Sequence, residues 1–573
     1  MKKISLILII NLVVFSFLSV GGSSINNWKI QDSNTYEHQT YLDSNWVNWI
    51  NENDYSTPEF VMNNINQRTS QSDDTWTLMF YLAGDNNLEG SMIDILNELE
   101  VVGSNENVKL IAQLDRIPSF DHSNYDWTEM LRYFVKRDIN GYNHEIISEP
   151  VEYLGEQNLG DPNVLFDFIN WSINMYPADN YCLFLADHGH AWDGCCYDWT
   201  SDGDHLTMFE LKSVINSFNN LTGKKLDLLC FNACAMGSVE VYYQLKDLVN
   251  ISIGSEDFQY GPLSYMYFLS DLVNNTDWSA EQFAKKIVYH TAYSGKCFVK
   301  DLFAIDLNKI DDIAEKTSVF ANNLNVIASE DANVISDVIY NSVLIEHRYR
   351  TELADLWDLA NTTQKIILGQ NLKESAQEVK DAIDSSVIES YSINLDLNRP
   401  GHGMSINLLD ESSILEDIFY DSYQNLDFSQ NSLWDEYLLT YYNADKINSP
   451  PSMPVVSGKT KGKIFEEYEY CGQSIDPERQ YVHLKFSFDD GTETEWLNRE
   501  VFCQKHKWMK SGTYIVKVKA IDEPFFDQDI TCGNESDWGT LTVSMPRLKY
   551  SNFNFLDIFS KNQIIKRFLS FLL

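Results

Sequence analysis

One histidine and one cysteine, each at the end of a short apolar run, are the residues of this chain best placed to do chemistry. His188 lies in Leu183-Phe-Leu-Ala-Asp-His188-Gly189, and Cys234 lies in Leu228-Leu-Cys-Phe-Asn-Ala-Cys234-Ala-Met-Gly237, with 45 residues between the two. Runs of this kind read as buried strands, and parallel α/β sheets assemble their sites at the C-terminal strand ends. A thiol attacks a carbonyl as its thiolate, and an imidazole titrates in the range where it can protonate a leaving amine. A helix opening near Met236 would favour the thiolate of Cys234. Gly189 has no side chain, so its backbone N–H can approach a substrate oxyanion, with the Cys234 N–H as second donor. Cys230, inside the same run, reads as a small buried hydrophobe.

The elements that must carry these residues alternate. Trp76 to Leu82 reads as a strand, Leu88 to Val102 as a helix and Val108 to Leu114 as a strand. Leu131 to Val135 follows as a strand, and Pro162 opens a helix to about Tyr176, as proline favours in a first turn. Then come the strand Tyr181 to Ala186, the helix Met208 to Phe218, the strand Leu226 to Phe231, the helix Val239 to Leu248 and the strand Ile251 to Gly254. Such a rhythm predicts an α/β region with a mainly parallel sheet flanked by helices. Ser279 to about Asp445 reads as mostly helical, with a strand-like Gly403 to Leu408.

Asn448-Ser-Pro-Pro-Ser-Met-Pro454 is a proline-rich linker, and beyond it the pattern becomes all-β. Val482 to Phe488 and Thr513 to Ala520 alternate, Asp489-Asp-Gly491 is a turn, and Gly539 to Val543 closes a small sandwich. At the other end, Lys2 and Lys3 precede an apolar stretch from Ile4 to Leu18 and small residues Ser19 to Ser23, the pattern of an export signal over 1–23. An uncleaved anchor helix is the competing reading. Residues 24–74 are polar and read as a linker or propeptide. The domains then run 75–447, a linker at 448–454, a sandwich at 455–545 and a tail at 546–573. That tail mixes Phe, Leu and Ile with Lys561, Lys566 and Arg567, which suits an amphipathic helix at a membrane surface or a docking segment.

Nine cysteines in an exported chain invite disulfides, and an odd number leaves one thiol over in a monomer, for which Cys234 is the candidate. Cys471, Cys503 and Cys532 could give one bridge. Asn-X-Ser/Thr triplets at Asn170, Asn220, Asn250, Asn274, Asn361 and Asn534 fit export to the extracellular side or cell surface. With 42 basic against 84 acidic residues, the net charge of −42 repels phosphate backbones, so nucleic acid is excluded as a partner.

The two motifs have a family context. Asp187-His-Gly189 and Asn232-Ala-Cys-Ala-Met-Gly237 resemble the His and Cys motifs of the clostripain family of cysteine peptidases, which share the caspase-like fold. Trp76 to Glu89, with its Asp85-Asn-Asn-Leu-Glu89 turn, Gly155-Glu156 with Gly160-Asp-Pro162, Leu206 to Leu211, Ser255-Glu256 and Gly403 to Ile406 resemble further landmarks of that family. The resemblance implies peptide and protein substrates, Cys234 as nucleophile, His188 as general acid and base, and cleavage after Arg or Lys through an acyl-enzyme. Where the family commonly has an aspartate that binds a cationic P1 side chain, this chain has Asn232, leaving Glu256 or Asp257 to supply the charge. Activation by cleavage between the motifs would fall at Lys212, Lys224 or Lys225. Asp489-Asp-Gly-Thr492, His506-Lys-Trp508 and Gly512-Thr-Tyr514 resemble the polycystic-kidney-disease-type immunoglobulin-like modules of extracellular proteins.

No cofactor is required by this chemistry. The acidic loop Asp193 to Asp204 offers Asp198, Asp202 and Asp204 to Ca²⁺, and His188, His190, Cys195 and Cys196 could be read as zinc ligands, although vicinal cysteines lack the usual spacing. A catalytically inactive surface protein that uses the same fold for adhesion is the alternative to an enzyme, and the presence of both His188 and Cys234 speaks against it.

Overall fold

The computed structural model describes residues 74–118, 120–294, 298–346, 352–396, 399–408, 417–444, 449–477, 482–497, 502–522 and 533–546. Every residue of strand β1 (Trp76–Gly84) is buried, and its side chains divide between two cores. Met79, Tyr81 and Ala83 enter one, while Trp76, Leu78, Phe80 and Leu82 enter the other. A strand apolar on both faces belongs inside a sheet covered on both sides. The sheet adds β2 (Val108–Arg116), β3 (Met130–Phe134), β4 (Pro150–Gly155), β5 (Asn180–Ala186), β6 (Leu226–Asn232), β7 (Val249–Gly254), β8 (Asp301–Asp306) and β9 (Val387–Ser392). Its spatial order is β9-β8-β7-β6-β5-β1-β2-β3-β4.

The expected mainly parallel sheet is its centre. Strands β2, β1, β5, β6 and β7 are parallel, and the outer strands β3, β4, β8 and β9 add antiparallel pairs at both ends. Strands β8 and β9 fall in the stretch read as mostly helical. Val387-Ile-Glu-Ser-Tyr-Ser392 is polar and only half-buried, the composition of an edge strand rather than of a central one.

Helices Glu89–Val102, Tyr265–Leu272 and Ala280–Tyr293 cover one face, and Pro162–Met175, Met208–Thr222, Val239–Leu245 and Ile310–Glu330 cover the other. Their starts are written locally. Asp161 accepts from the Asn163 N–H with Pro162 in the first turn, and Thr207 with Glu210 forms a reciprocal capping box. These caps fix where each helix leaves the sheet, and so the path of the loops at its C-terminal edge.

The C-terminal strands form two three-stranded sheets, Val455–Gly458 with Tyr468–Gln473 and Cys503–His506, and Val482–Ser487 with Gly512–Asp522 and Gly539–Met545. Tyr470, Phe486, Trp508, Val518 and Val543 meet in their own core. The turn residues act as ties: Asp490 bonds the Thr492 N–H and the His506 ring, Asp489 accepts from the Ile515 N–H, and the Trp508 indole donates to the Phe488 carbonyl. Cys471 and Cys503 stand opposite each other on paired strands and form a disulfide. The segments 1–23 and 24–74, the tail 546–573, and Cys297 and Cys532 lie outside the described residues, Asp74 and Pro546 apart. Among the described residues no helix is long and apolar enough to cross a membrane.

Candidate active site

Strands β5 and β6 are parallel neighbours with Ala186 opposite Asn232, so His188 and Cys234 leave the sheet side by side. The Asp187 N–H donates to the Asn232 carbonyl at 3.2 Å, which joins the two loops at their roots. Contact is tightest at Gly189. A methyl built there would lie 2.4 Å from the Cys234 carbonyl oxygen. Only glycine lets the two loops approach in this way. The backbone N–H groups of Gly189 and Cys234 make no hydrogen bond among the described residues; the bridge between Gly189 and Cys195 is closed by His190 N–H to Gly194 and Cys196 N–H to His188. Two donors on adjoining loops are thus left for an outside acceptor.

His188 is held from β1. Its Nε2 lies 2.7 Å from Asn87 Oδ1. An amide oxygen only accepts, so Nε2 donates in this bond, and the neutral tautomer that makes it has its lone pair on Nδ1. The preceding residue fixes the backbone: the Asp187 carboxylate accepts from Asn86 Nδ2 at 2.7 Å and from the Tyr197 N–H. Asn87 is a site residue that the sequence reading did not assign. Its signal was the Asp85-Asn-Asn-Leu-Glu89 turn, but nothing in the turn names a partner 101 residues away.

Cys234 sits differently from expectation. The helix after it begins only at Val239, capped by Ser238, and the intervening turn has Ala235 at φ 58°. The helix N-terminus therefore does not face the thiol. Instead Sγ receives the Gln259 N–H at 3.3 Å and lies 3.8 Å from the Gln259 carbonyl. Burial and the charges of Asp257 and Asp187 push the thiol up to about 11, against the opposing Gln259 N–H. In this conformation the thiol is protonated, capped by Gln259, and not poised as a thiolate.

Of the three residues expected to bind substrate, two lie beside the thiol and one does not. Asn232 Oδ1 is filled by the Leu263 N–H at 2.9 Å and the Tyr265 hydroxyl at 3.0 Å, and its Nδ2 faces Gln259 Oε1 and the Gly261 carbonyl, both at 3.3 Å. Asp257 is ion-paired with Lys300 at 2.8 Å, and its carbonyl accepts from the Ala235 N–H next to Cys234. Glu256 corrects the expectation. It is fully buried and its carboxyl turns inward to the Gly403 N–H, with its pKa raised by burial and by Asp355 and Asp301. No substrate group can reach it there.

The metal readings also change. Cys195 and Cys196 point into the core 3.8 Å apart, and His190 Nδ1 pairs with the Tyr197 hydroxyl, so these side chains do not converge as a zinc site. The acidic loop divides: Asp202 is exposed, Asp204 binds Asn158, and buried Asp198 instead joins Asp85 and Glu156. Lys212 and Lys224 are tied to Asp427 and Asp227, and Lys225 to the Lys246 carbonyl.

The model of the clostripain family matches residues 80–442. Clostripain from Hathewaya histolytica is 33% identical over 195 residues, 30% of this chain and 36% of that protein, so the chain spans about a third of this relative. An inactive zymogen C11 protease from Parabacteroides distasonis is 17% identical with a TM-score of 0.46, covering 63% of this chain and 99% of its own. A secreted C11 cysteine protease from Bacteroides thetaiotaomicron, in complex with an irreversible peptide inhibitor, is 18% identical with the same TM-score and coverage. The PKD domain of an M14-like peptidase from a Thermoplasmatales archaeon is 35% identical, covering 18% of this chain and 100% of its own, with a TM-score of 0.16. With the family model matched over more than half of its length, on the strands that carry His188 and Cys234, the chain belongs to the clostripain family.

Proposed function

We propose that this protein is an exported cysteine endopeptidase in which Cys234 is the nucleophile and His188 its general base and acid. The observation that carries the reading is the junction at Gly189, where two strand-end loops touch and leave two backbone N–H groups without acceptors beside a thiol and an imidazole. His188 Nδ1 takes the Cys234 proton as Sγ bonds to the scissile carbonyl carbon. The Gly189 and Cys234 N–H groups hold the oxyanion that forms. Collapse breaks the C–N bond, His188 returns the proton to the leaving amine, and water then hydrolyses the thioester. A peptide entering the site takes the place of Gln259 at the thiol. Export is supported by the Cys471–Cys503 disulfide, which persists in oxidising compartments.

Selectivity for Arg or Lys rests on Asp257, since a cationic P1 group would replace Lys300 as its partner without changing the net charge. Asn232 cannot help, because its one acceptor is already doubly used. Cleavage of a peptide library varied at P1 tests both points. Cys234→Ala is expected to abolish turnover, and undiminished turnover would refute the reading. Asn232→Asp adds a carboxylate oxygen facing Gly261 and is expected to raise kcat/KM for Arg or Lys at P1 about 10- to 100-fold, the worth of one charge-assisted hydrogen bond.

A further inference from the structure

The ends of the central strands form a row, and the proposed reaction gives that row a direction. Along β7-β6-β5-β1-β2 the chain delivers in turn Asp257 with Gln259, Cys234, His188, the turn from Asp85 to Glu89, and the segment that follows Arg116. The leaving amine takes its proton from His188, so the residues after the scissile bond lie on the β5 side of Cys234. The P1 residue lies on the β7 side, with Asp257. A peptide extended along the edge therefore runs past His188 toward β1 and β2, where none of the residues with a role in the reaction receives it.

What it meets there is aromatic. Phe120 and Trp199 come from separate loops and touch edge to face, with ring centroids 5.9 Å apart. Phe120 is 54% exposed and Trp199 is half-buried, so the pair keeps apolar ring surface in contact with water. Both are tied to the turn that supports His188. The Trp199 N–H donates to the Asp85 carbonyl at 2.9 Å, two residues before the Asn87 that holds His188. The Asp121 N–H, next to Phe120, donates to the Glu89 carboxylate at 2.6 Å, and buried Arg116 grips the Asp121 carbonyl at 2.7 Å and Glu89 at 2.6 Å. The backbone under each ring is thus anchored while ring surface stays open. Single exposed apolar residues are ordinary on a protein surface. Two in contact, on anchored loops beside the reacting groups, make a rigid apolar platform of the kind that binds a side chain.

Spacing decides which substrate residue reaches the platform. Neighbouring strands lie about 4.8 Å apart, so the end of β1, where Trp199 is anchored, is about 10 Å from Cys234 along the edge. An extended peptide advances about 3.3 Å per residue, which brings the second or third residue after the scissile bond to the rings. Successive side chains of an extended segment alternate, so one of the two points at the platform and the other away from it. We infer that Phe120 and Trp199 form a subsite for an apolar side chain, aliphatic or aromatic, at the second or third position after the scissile bond. The inference rests on the peptidase reading and adds to it a preference on the leaving-group side.

The test gives the full chain two kinds of substrate with the same residues before the scissile bond. One is a short amide with an aminocoumarin leaving group; the others are internally quenched peptides with Gly, Ser, Leu or Phe at the second and third positions after the bond. At one of those positions, Leu or Phe is expected to raise kcat/KM about fivefold or more over Gly or Ser. Phe120→Ser and Trp199→Ser each reduce that ratio to about twofold or less. Tyr289→Ser, at a similarly exposed aromatic on the helix Ala280–Tyr293, keeps it. The ratio within one variant does not depend on how much of the enzyme is active, so a merely structural role would not move it. A flat profile in wild type, or an undiminished ratio in Phe120→Ser, would overturn the subsite, while cleavage of the short amide would leave the peptidase reading standing. Failure to cleave either kind of substrate would remove the peptidase reading and the subsite with it. Phe120 is largely exposed, so its variant decides the matter even if Trp199→Ser fails to fold.

Discussion

Replacing Gly189 with alanine isolates the junction of the two loops from the rest of the fold. The added methyl would lie 2.4 Å from the Cys234 carbonyl oxygen, 2.9 Å from Met236 Cγ and 3.0 Å from Ala233 Cβ. Carbon and carbonyl oxygen settle at about 3.3 Å or more, so the loops must part by nearly 1 Å. The clash involves the backbone of Cys234 itself, which no rotamer change relieves. A misplacement of about 1 Å between reacting groups costs on the order of 100-fold, and overpacking of this kind costs about 1–3 kcal/mol of stability. The expectation is a folded protein whose kcat/KM on the best library peptide falls about 100-fold, measured with active-site-titrated enzyme beside a urea melt. Gly90→Ala is the control. Its methyl would meet nothing nearer than Asp121 Oδ2 at 3.6 Å, in the helix Glu89–Val102, and activity should be unchanged. Wild-type turnover by a well-folded Gly189→Ala variant would refute the argument that loop contact sets the geometry.

Stability should fall as pH rises through the neutral range. Burial pushes Asp301 up to about 7, and burial together with Glu156 pushes Asp115 up to about 9. An unfolded chain loses these protons near pH 4, so between pH 4 and those values it binds fewer protons than the folded chain and unfolding is favoured by raising the pH. Melting temperatures are expected to decline from pH 5 to pH 8.5, with a shallower decline in Asp301→Asn; a rising profile would contradict the assignment. In the C-terminal module, Cys471 and Cys503 close a loop with a sequence separation of 32. The loop-entropy relation gives about 3.7 kcal/mol for such a bridge. Cys471→Ser should therefore lower the module's urea midpoint by about 1–3 M, followed through the buried Trp508, and an unchanged midpoint would count against this pairing.

Much of the catalytic face was legible because it is built from local signals. The runs ending at Ala186 and Asn232 are apolar enough to read as buried strands, and their ends deliver His188 and Cys234 to neighbouring loops. Strand β9 was not legible, since a polar, half-buried edge strand carries little hydrophobic pattern. Partnerships across the sheet were equally hidden. Asn87 meets His188, and Asp85 meets Glu156 and Asp198, only because β1, β4 and β5 are brought together by pairing that no single segment encodes. Glu256 and Asp257 are adjacent in sequence and were read as equivalent, yet the chain leaving β7 turns one carboxyl inward to Gly403 and the other toward Lys300.

The state of the thiol follows from the same division between sheet and loops. Three influences raise the Cys234 pKa: burial, the charge of Asp257 and the charge of Asp187. Asp187 is fixed by Asn86 and the Tyr197 N–H, both held by β1 and the hairpin after His188. Asp257 is anchored through its carbonyl to the Ala235 N–H, and its charge is shared with Lys300. Neither can leave without disturbing the loop that carries Cys234. Burial is different, because Gln259, whose N–H and carbonyl lie against Sγ, belongs to the short strand Gln259–Tyr260, which pairs with Phe298–Val299. In the proposed reaction, the step that frees the thiol is displacement of this short strand from Sγ. A peptide backbone is suited to it, since it brings an N–H and a carbonyl to replace those of Gln259. On that proposal the cap and the substrate compete for one position, and the same event that seats the scissile bond would remove the largest obstacle to the thiolate.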